Sequence, residues 1–258
     1  MRFENSEADM HVLDAGVLLF HSNEGAQTTR GNWTSISRIG RATGAKEVSQ
    51  NINVYENGRS PVVMNRSSEE VLYVVDGKGQ CHLNGFSYDL APDTGVFIPP
   101  RAEYSIENTE ATPLVIVSAL CPEDPNRTIE NRGISSVSGT RPELTVHAES
   151  REKLPATAGR KFCFVVDKDL GCQHVTQFVG WIPPSAAPFH HHEYEEIIYV
   201  LDGKGILHVG EESIPFETGS SIYLPVRVPH CLENPGPLAM HVLGVFYPSG
   251  NPAAAYYQ

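Results

Sequence analysis

Between Pro188 and Gly205 the chain reads PFHHHEYEEIIYVLDGKG. Three imidazoles and three carboxylates fall within the seven residues from His190 to Glu196. Imidazole nitrogens and carboxylate oxygens are ligands for borderline divalent metals, and they are also the usual acid–base groups. A run of histidines can equally be a solvated loop, so the element that carries these residues decides which of them act together.

The apolar run that follows, IIYVL, is rich in branched and aromatic residues and closes on a glycine turn, which reads as a strand. Side chains alternate faces along a strand. If the strand extends back through the histidines, His190, His192 and Glu196 share one face, with Ile198 and Val200 following them. His191, Glu193 and Glu195 then face the other way, and His191 is expected to be structural. A fourth group lies downstream in GSSIYLPVRVPHCLEN, where His230 follows Gly219 and Pro225 and precedes Asn234. Three imidazoles and one carboxylate suit one divalent transition metal (Fe, Mn, Ni, Cu or Zn) and leave coordination positions for water or substrate.

The chain repeats itself. Adding 126 to the residue number carries Glu70 onto Glu196, Tyr73 onto Tyr199, DGKG at 76–79 onto DGKG at 202–205, and His82 onto His208. Without a gap, Pro99 then falls on Pro225 and Asn108 on Asn234. Such self-similarity marks a duplicated unit. Short strand-like runs with turn residues between them, and little helical periodicity, make each copy β. The same shift puts Met64, Arg66 and Tyr104 where the second copy has His190, His192 and His230. The first copy therefore lacks the ligand set. An Arg66–Glu70 ion pair, joined by the Tyr104 hydroxyl, is the expected filling. His82 and His208 are expected to serve packing, since one of them sits in the copy without ligands.

The spacing of His190, His192, Glu196 and Gly203 resembles the first cupin motif. Gly219, Pro225, His230 and Asn234 resemble the second, with Arg227 standing where the motif usually has glycine. The resemblance covers nearly the whole chain. It implies an all-β protein of two tandem cupin barrels, each a double-stranded β-helix or jelly roll. The expected division is a first barrel over 1–125 without a metal site, a linker over 126–145, and a metal-binding barrel over 146–258. It further implies His190, His192, Glu196 and His230 as the ligands of one metal per chain, and a homo-oligomer, a dimer by family habit.

Bulk composition narrows the partners. The 258 residues carry a formal charge of −12, which disfavours nucleic acid. No apolar run is long enough to span a membrane, and the N-terminus lacks a secretory pattern. Five cysteines without a CxxC pair fit a reducing compartment, so a cytoplasmic protein with a small-molecule substrate is expected. Family members with such a ligand set include dioxygenases, decarboxylases and isomerases. Apart from the ligands no general base is evident, which favours chemistry at the metal, of the dioxygenase type. The alternatives are a non-redox isomerase, decarboxylase or hydrolase resembling ureidoglycine aminohydrolase, and a non-catalytic binding cupin. The hydrolase family has a Gln in the second motif where this chain has His230. Gln177, with Trp181 on the same strand face, and Arg227 beside the second motif are the candidate pocket residues.

Overall fold

The computed structural model describes residues 10–254 and the backbone of 256–257. Strands dominate, and the helices among the described residues are 3-10 turns of three residues. Four antiparallel sheets pair up into two barrels. In the first, strands such as Glu69–Asp76, Thr94–Ile98 and Leu114–Cys121 face a sheet containing Gly79–Leu83 and Glu103–Asn108. In the second, Glu195–Asp202, Ser221–Leu224 and Met240–Tyr247 face a sheet containing Lys204–Val209 and His230–Asn234.

Strand alternation explains the twin apolar runs. Leu72 and Val74 point into the first barrel beside Leu83 and Ile106. Val71 and Tyr73 point out and meet Ile197 and Tyr199 of the second barrel in a shared core. Ile198 and Val200 fill the second barrel beside Leu207 and Leu232. The two large sheets thus pack back to back, and the runs VLYVV and IIYVL, packed on both faces, are apolar throughout. The DGKG turns follow from backbone geometry. Gly77 and Gly203 adopt φ of 82° and 106°. A Cβ on Gly77 would come within 2.5 Å of the Pro113 carbonyl oxygen. Glycine is the residue that tolerates both conditions.

The barrels exchange edges. Leu18–Phe20 pairs with Ser221–Leu224 and so extends the sheet of the second barrel. Thr145–His147 pairs with Thr94–Val96 in the sheet of the first. The expected division of the chain, with 1–125 in one barrel and 146–258 in the other, cuts across this exchange.

The repeat also contains a one-residue insertion that the ungapped comparison misses. Tyr104 pairs with Val63, whereas His230 pairs with His190. The Arg101 amide donates to the Asn65 carbonyl, and the Arg227 amide donates to that of His192. Upstream of Glu69 the shift is therefore 127, and Val63 and Asn65, not Met64 and Arg66, stand where His190 and His192 do. Arg66 is exposed and belongs with the exposed Glu193. Arg101 and Arg227 both adopt φ near +65°, at 66° and 63°. The backbone turn that glycine usually makes is thus retained with an arginine in both copies.

Candidate metal centre

His190 and His191 form a two-residue strand that pairs His190 with His230 across the sheet. His190, His192 and His230 are buried, and one ring nitrogen of each lies within 4.8 Å of the others. Glu196 enters from the opposite sheet. Its Oε2 is 3.6 Å from His192 Nε2 and 3.9 Å from His230 Nε2. The alternation holds for the other charged neighbours. His191 Nε2 lies 3.9 Å from Glu193 Oε1, and Glu195 turns out of the barrel to accept from the Tyr223 hydroxyl at 2.9 Å.

Each imidazole is fixed from behind. Nδ1 of His190 donates to the Pro188 carbonyl at 3.0 Å, that of His192 to Ala254 at 3.1 Å, and that of His230 to Val228 at 3.0 Å. A carbonyl only accepts, so each Nδ1 carries the proton and each neutral ring presents the Nε2 lone pair inward. This is the arrangement of metal-ligating histidines, whose second nitrogen is held by an outer partner. Burial, reinforced by the neighbouring His190, lowers His192 to about 4 and His230 to about 3. Both rings are therefore neutral at ordinary pH, as a metal ligand must be. Burial raises the Glu196 carboxyl to about 8, against the opposing charge of Arg160. Its Oε2 is buried without a hydrogen-bond partner. Three inward lone pairs and an orphaned carboxylate oxygen fit a divalent cation, which would satisfy all four at once.

The cluster forms the floor of a cavity of about 80 Å³ walled by Phe162, Phe178, Phe246 and Ile198, with Arg160 at its side. The C-terminal segment covers it. The backbone of Tyr256–Tyr257 pairs with His190–His191, Pro252 lines the cavity, and the Tyr194 hydroxyl donates to the Asn251 carbonyl at 2.8 Å.

The other three sequence candidates lie elsewhere. Gln177 is buried but faces the first barrel, where a Cβ on Gly95 would stand 3.2 Å from its Oε1. Trp181 shares that outward face and lines a crevice between the barrels with Asp93 and Lys153. The parity of this strand is opposite to the expected one, and Phe178, Gly180 and Ile182 are the residues that reach the cavity. Arg227 is exposed and paired with Glu193, Nη2 to Oε2 at 2.6 Å, in the solvated loop. His208 bridges Ser213 and Glu233 on an outer sheet, as His82 bridges Ser87 and Glu107. Arg160 and the C-terminal carbonyls were not indicated by any motif. They come from segments flanking the barrel, and only the folded chain brings them to the histidines.

The first barrel answers the same space differently. Glu70 is fully buried and accepts from Asn65 Nδ2 at 2.7 Å, the Tyr104 hydroxyl at 2.9 Å and Arg127 Nη2 at 3.1 Å. The expected partner Arg66 takes no part, because the inserted residue turns it to solvent. Arg127, just ahead of the strand Thr128–Glu130, supplies the cation instead. Burial works most strongly against the Arg127 charge, and Glu70 together with Tyr104 and Tyr55 outweighs it, so its pKa is raised. Thr128–Glu130 flanks Val62–Met64 as Tyr256–Tyr257 flanks His190–His191. The sequence ahead of the latter, PAAA at 252–255, offers no cation.

Two jelly-roll barrels, one with a histidine–carboxylate cluster on its floor, define a duplicated β-barrel protein of metal-site type. The family model for the cupin domain matches residues 52–120 and 179–246, just over half of the chain. The chain belongs to the cupin family and is a two-domain cupin. A variant of Bacillus subtilis oxalate decarboxylase superposes with a TM-score of 0.76 at 13% identity, covering 93% of this chain and 78% of that one. The protein Ylba from E. coli gives 0.74 at 15%, covering 93% and 94%. A putative glyoxylate-induced protein from Pseudomonas aeruginosa gives 0.68 at 20%, covering 95% and 91%. These likenesses establish the fold. A curated relative, the uncharacterized protein MJ1618 of Methanocaldococcus jannaschii, is 36% identical over 58 residues, which span 22% of this chain and 46% of that protein. No helix among the described residues is long and apolar enough to cross a membrane.

Proposed function

We propose that the second barrel is a metal-dependent enzyme site for a small organic acid, with one divalent transition metal held by His190, His192, His230 and Glu196. The observation that carries this reading is the gathering of three histidine ring nitrogens within 4.8 Å of one another, with the Glu196 oxygen that lacks a hydrogen bond 3.6 and 3.9 Å from two of them, in a buried cavity. Bound there, such a metal supplies Lewis acidity and open positions for substrate and a second reactant. The chain's own residues would fix the ring tautomers, exclude water with the three phenylalanines, and bring the cation of Arg160 beside the metal. Apart from the ligands, Arg160 and Lys161 are the charged side chains lining the cavity. With no additional carboxylate among the described lining residues to relay protons, we assign the reaction to the metal itself, of the dioxygenase type.

A non-redox decarboxylation is the second reading, favoured by the fold shared with oxalate decarboxylase. Reconstitution with each metal under anaerobic conditions, followed by oxygen-uptake screening over small carboxylates, decides between them. Substrate-dependent uptake with Fe(II) supports the oxygenase. Turnover without oxygen overturns it in favour of the second reading. A protein that binds no divalent metal overturns both.

A further inference from the structure

The two barrels differ in what fills them. Pairing registers place Trp33, Asn53 and Ser118 of the first barrel at the positions of Arg160, Gly180 and Gly244 in the second. In the first barrel these side chains form a plug. Trp33 Nε1 donates to Asn53 Oδ1 at 2.9 Å, Asn53 Nδ2 donates to Ser118 Oγ at 3.1 Å, and Trp33 stacks on Tyr55. In the second barrel two of the three have become glycine and the tryptophan has become arginine. Phe178 occupies the space over Gly244, and Arg160, Gly180 and Phe178 line the cavity above the histidine cluster.

Its lining is chemically lopsided. The Phe178 ring lies over Gly244, where a Cβ would stand 2.1 Å from it. Phe162 and Phe246 flank Phe178 with ring centroids at 6.4 and 4.8 Å. Against this apolar wall stands Arg160, which donates from Nη2 to the Leu232 carbonyl. It lines the same cavity as Glu196, His190 and His230. A guanidinium matches a carboxylate through two parallel N–H donors, and in an apolar surrounding that contact outweighs its value in water. The side chains of this wall, Phe162, Phe178 and Phe246, carry no hydrogen-bonding groups. Ligand hydroxyls or a second carboxylate turned toward it would be buried without partners.

We propose that this cavity takes a monocarboxylate with an apolar or aryl tail. Arg160 holds the carboxylate, and Phe162, Phe178 and Phe246 take the tail. The proposal rests on the reading of the second barrel as the metal-dependent site, and it names the substrate class of that site. Arg160 is here a specificity-determining residue.

Calorimetric titration of benzoate and butyrate into metal-free and Co(II)-loaded protein tests it, with oxalate and inorganic phosphate as comparison ligands. Benzoate or butyrate is expected to bind both forms. Arg160→Leu is expected to weaken that binding about tenfold to a hundredfold, the value of a charged hydrogen-bonded contact. Arg160→Lys keeps the charge without the planar fork and is expected to fall between the two. It also serves as the test should Arg160→Leu fail to fold. Co(II) loading, followed by its visible absorption, is expected to be the same in all three proteins. Unchanged benzoate and butyrate affinity in the variants overturns the proposal, as does failure of both acids to bind. Tighter binding of oxalate or phosphate than of benzoate to the metal-free protein overturns the substrate class. If the wild type takes up no Co(II), the metal reading fails by itself, and the metal-free titrations still decide the role of Arg160.

Discussion

Glu69 and Glu195 hold equivalent places in the two barrels, and each reaches across to the backbone of the other barrel. Glu195 Oε2 accepts from the amides of Glu47 at 3.1 Å and Val48 at 3.3 Å. Glu69 accepts from the amides of Gln173 at 3.0 Å and His174 at 2.9 Å. Both carboxylates are buried. They satisfy backbone donors in the loops leading into Ser49–Tyr55 and Thr176–Ile182, at the seam between the barrels. Leucine at either position would take the acceptor from two N–H groups at this seam. Each Glu→Leu change is expected to destabilise by about 2–4 kcal/mol, since an orphaned buried donor costs about 1–3 kcal/mol. Thermal or urea denaturation checks this. Glu→Gln, which keeps one acceptor oxygen, is expected to cost less than Leu at both sites.

Metal stoichiometry follows from the contrast between the barrels. Elemental analysis is expected to find one divalent metal per chain. His192→Ala and His230→Ala are expected to lose it, while Tyr104→His in the first barrel gains none, because Arg127 already neutralises Glu70. Two equivalents in the wild type would contradict the assignment.

The Glu70–Arg127 pair gives a separate test. Arg127→Leu strands a fully buried carboxylate and is expected to cost about 3–5 kcal/mol, whereas Arg127→Leu combined with Glu70→Leu costs less than the single change. Denaturant titration of the single and double variants measures the difference. Metal content of the second barrel is expected to be unchanged in both.

Proton release reports the protonation of the cluster. Without metal, burial raises Glu196 from its ordinary 4.5 to about 8, so the folded state holds that proton more tightly than the unfolded chain. The stabilising contribution is complete below about pH 4.5 and is lost as pH rises through about 8. His192 and His230 have the opposite sign. Their folded values are lowered to about 4 and about 3, so their contribution is present above 6.5 and is lost as pH falls through those values. Metal binding requires ionised Glu196 and neutral histidines. At pH 7 binding is expected to release about one proton, and none at pH 9.5. Calorimetry in buffers of different ionisation enthalpy measures this, and Glu196→Gln is expected to abolish the release.

The C-terminal segment is expected to tune the metal site. The Ala254 carbonyl orients the His192 ring, and Tyr194 clamps the segment through Asn251. Truncation after Ser249 is expected to weaken metal binding about 10- to 100-fold, the usual cost of removing an outer partner of a ligating histidine. Competition with a chromophoric chelator reads the affinity. Tyr194→Phe is expected to give a smaller loss.

Much of the fold and the cluster was legible because strand periodicity and duplication are properties of short windows. Alternation separated His190, His192 and Glu196 from His191, Glu193 and Glu195 without reference to any contact. The same rule put Gln177 and Trp181 on the cavity side, because parity on an isolated strand has no fixed origin until its neighbours are paired. Arg66 was misplaced for a related reason. One extra residue between Asn65 and Glu69 turns the side chain around, and an ungapped repeat cannot register it. Arg127, Arg160 and the Ala254 carbonyl arrive from outside the repeated core, and nothing local in the sequence ties them to Glu70 or to the histidines.

The exchanged edge strands bear on how the protein is made. Leu18–Phe20 is synthesised some two hundred residues ahead of its partner strand, Ser221–Leu224. Neither half of the gene encodes a barrel with all its own strands. A second barrel expressed alone would present the bare edge of Ser221–Leu224, an open template for pairing with other chains. The duplication has thus become interdependent, and the half with the histidine cluster carries with it the half whose barrel is plugged.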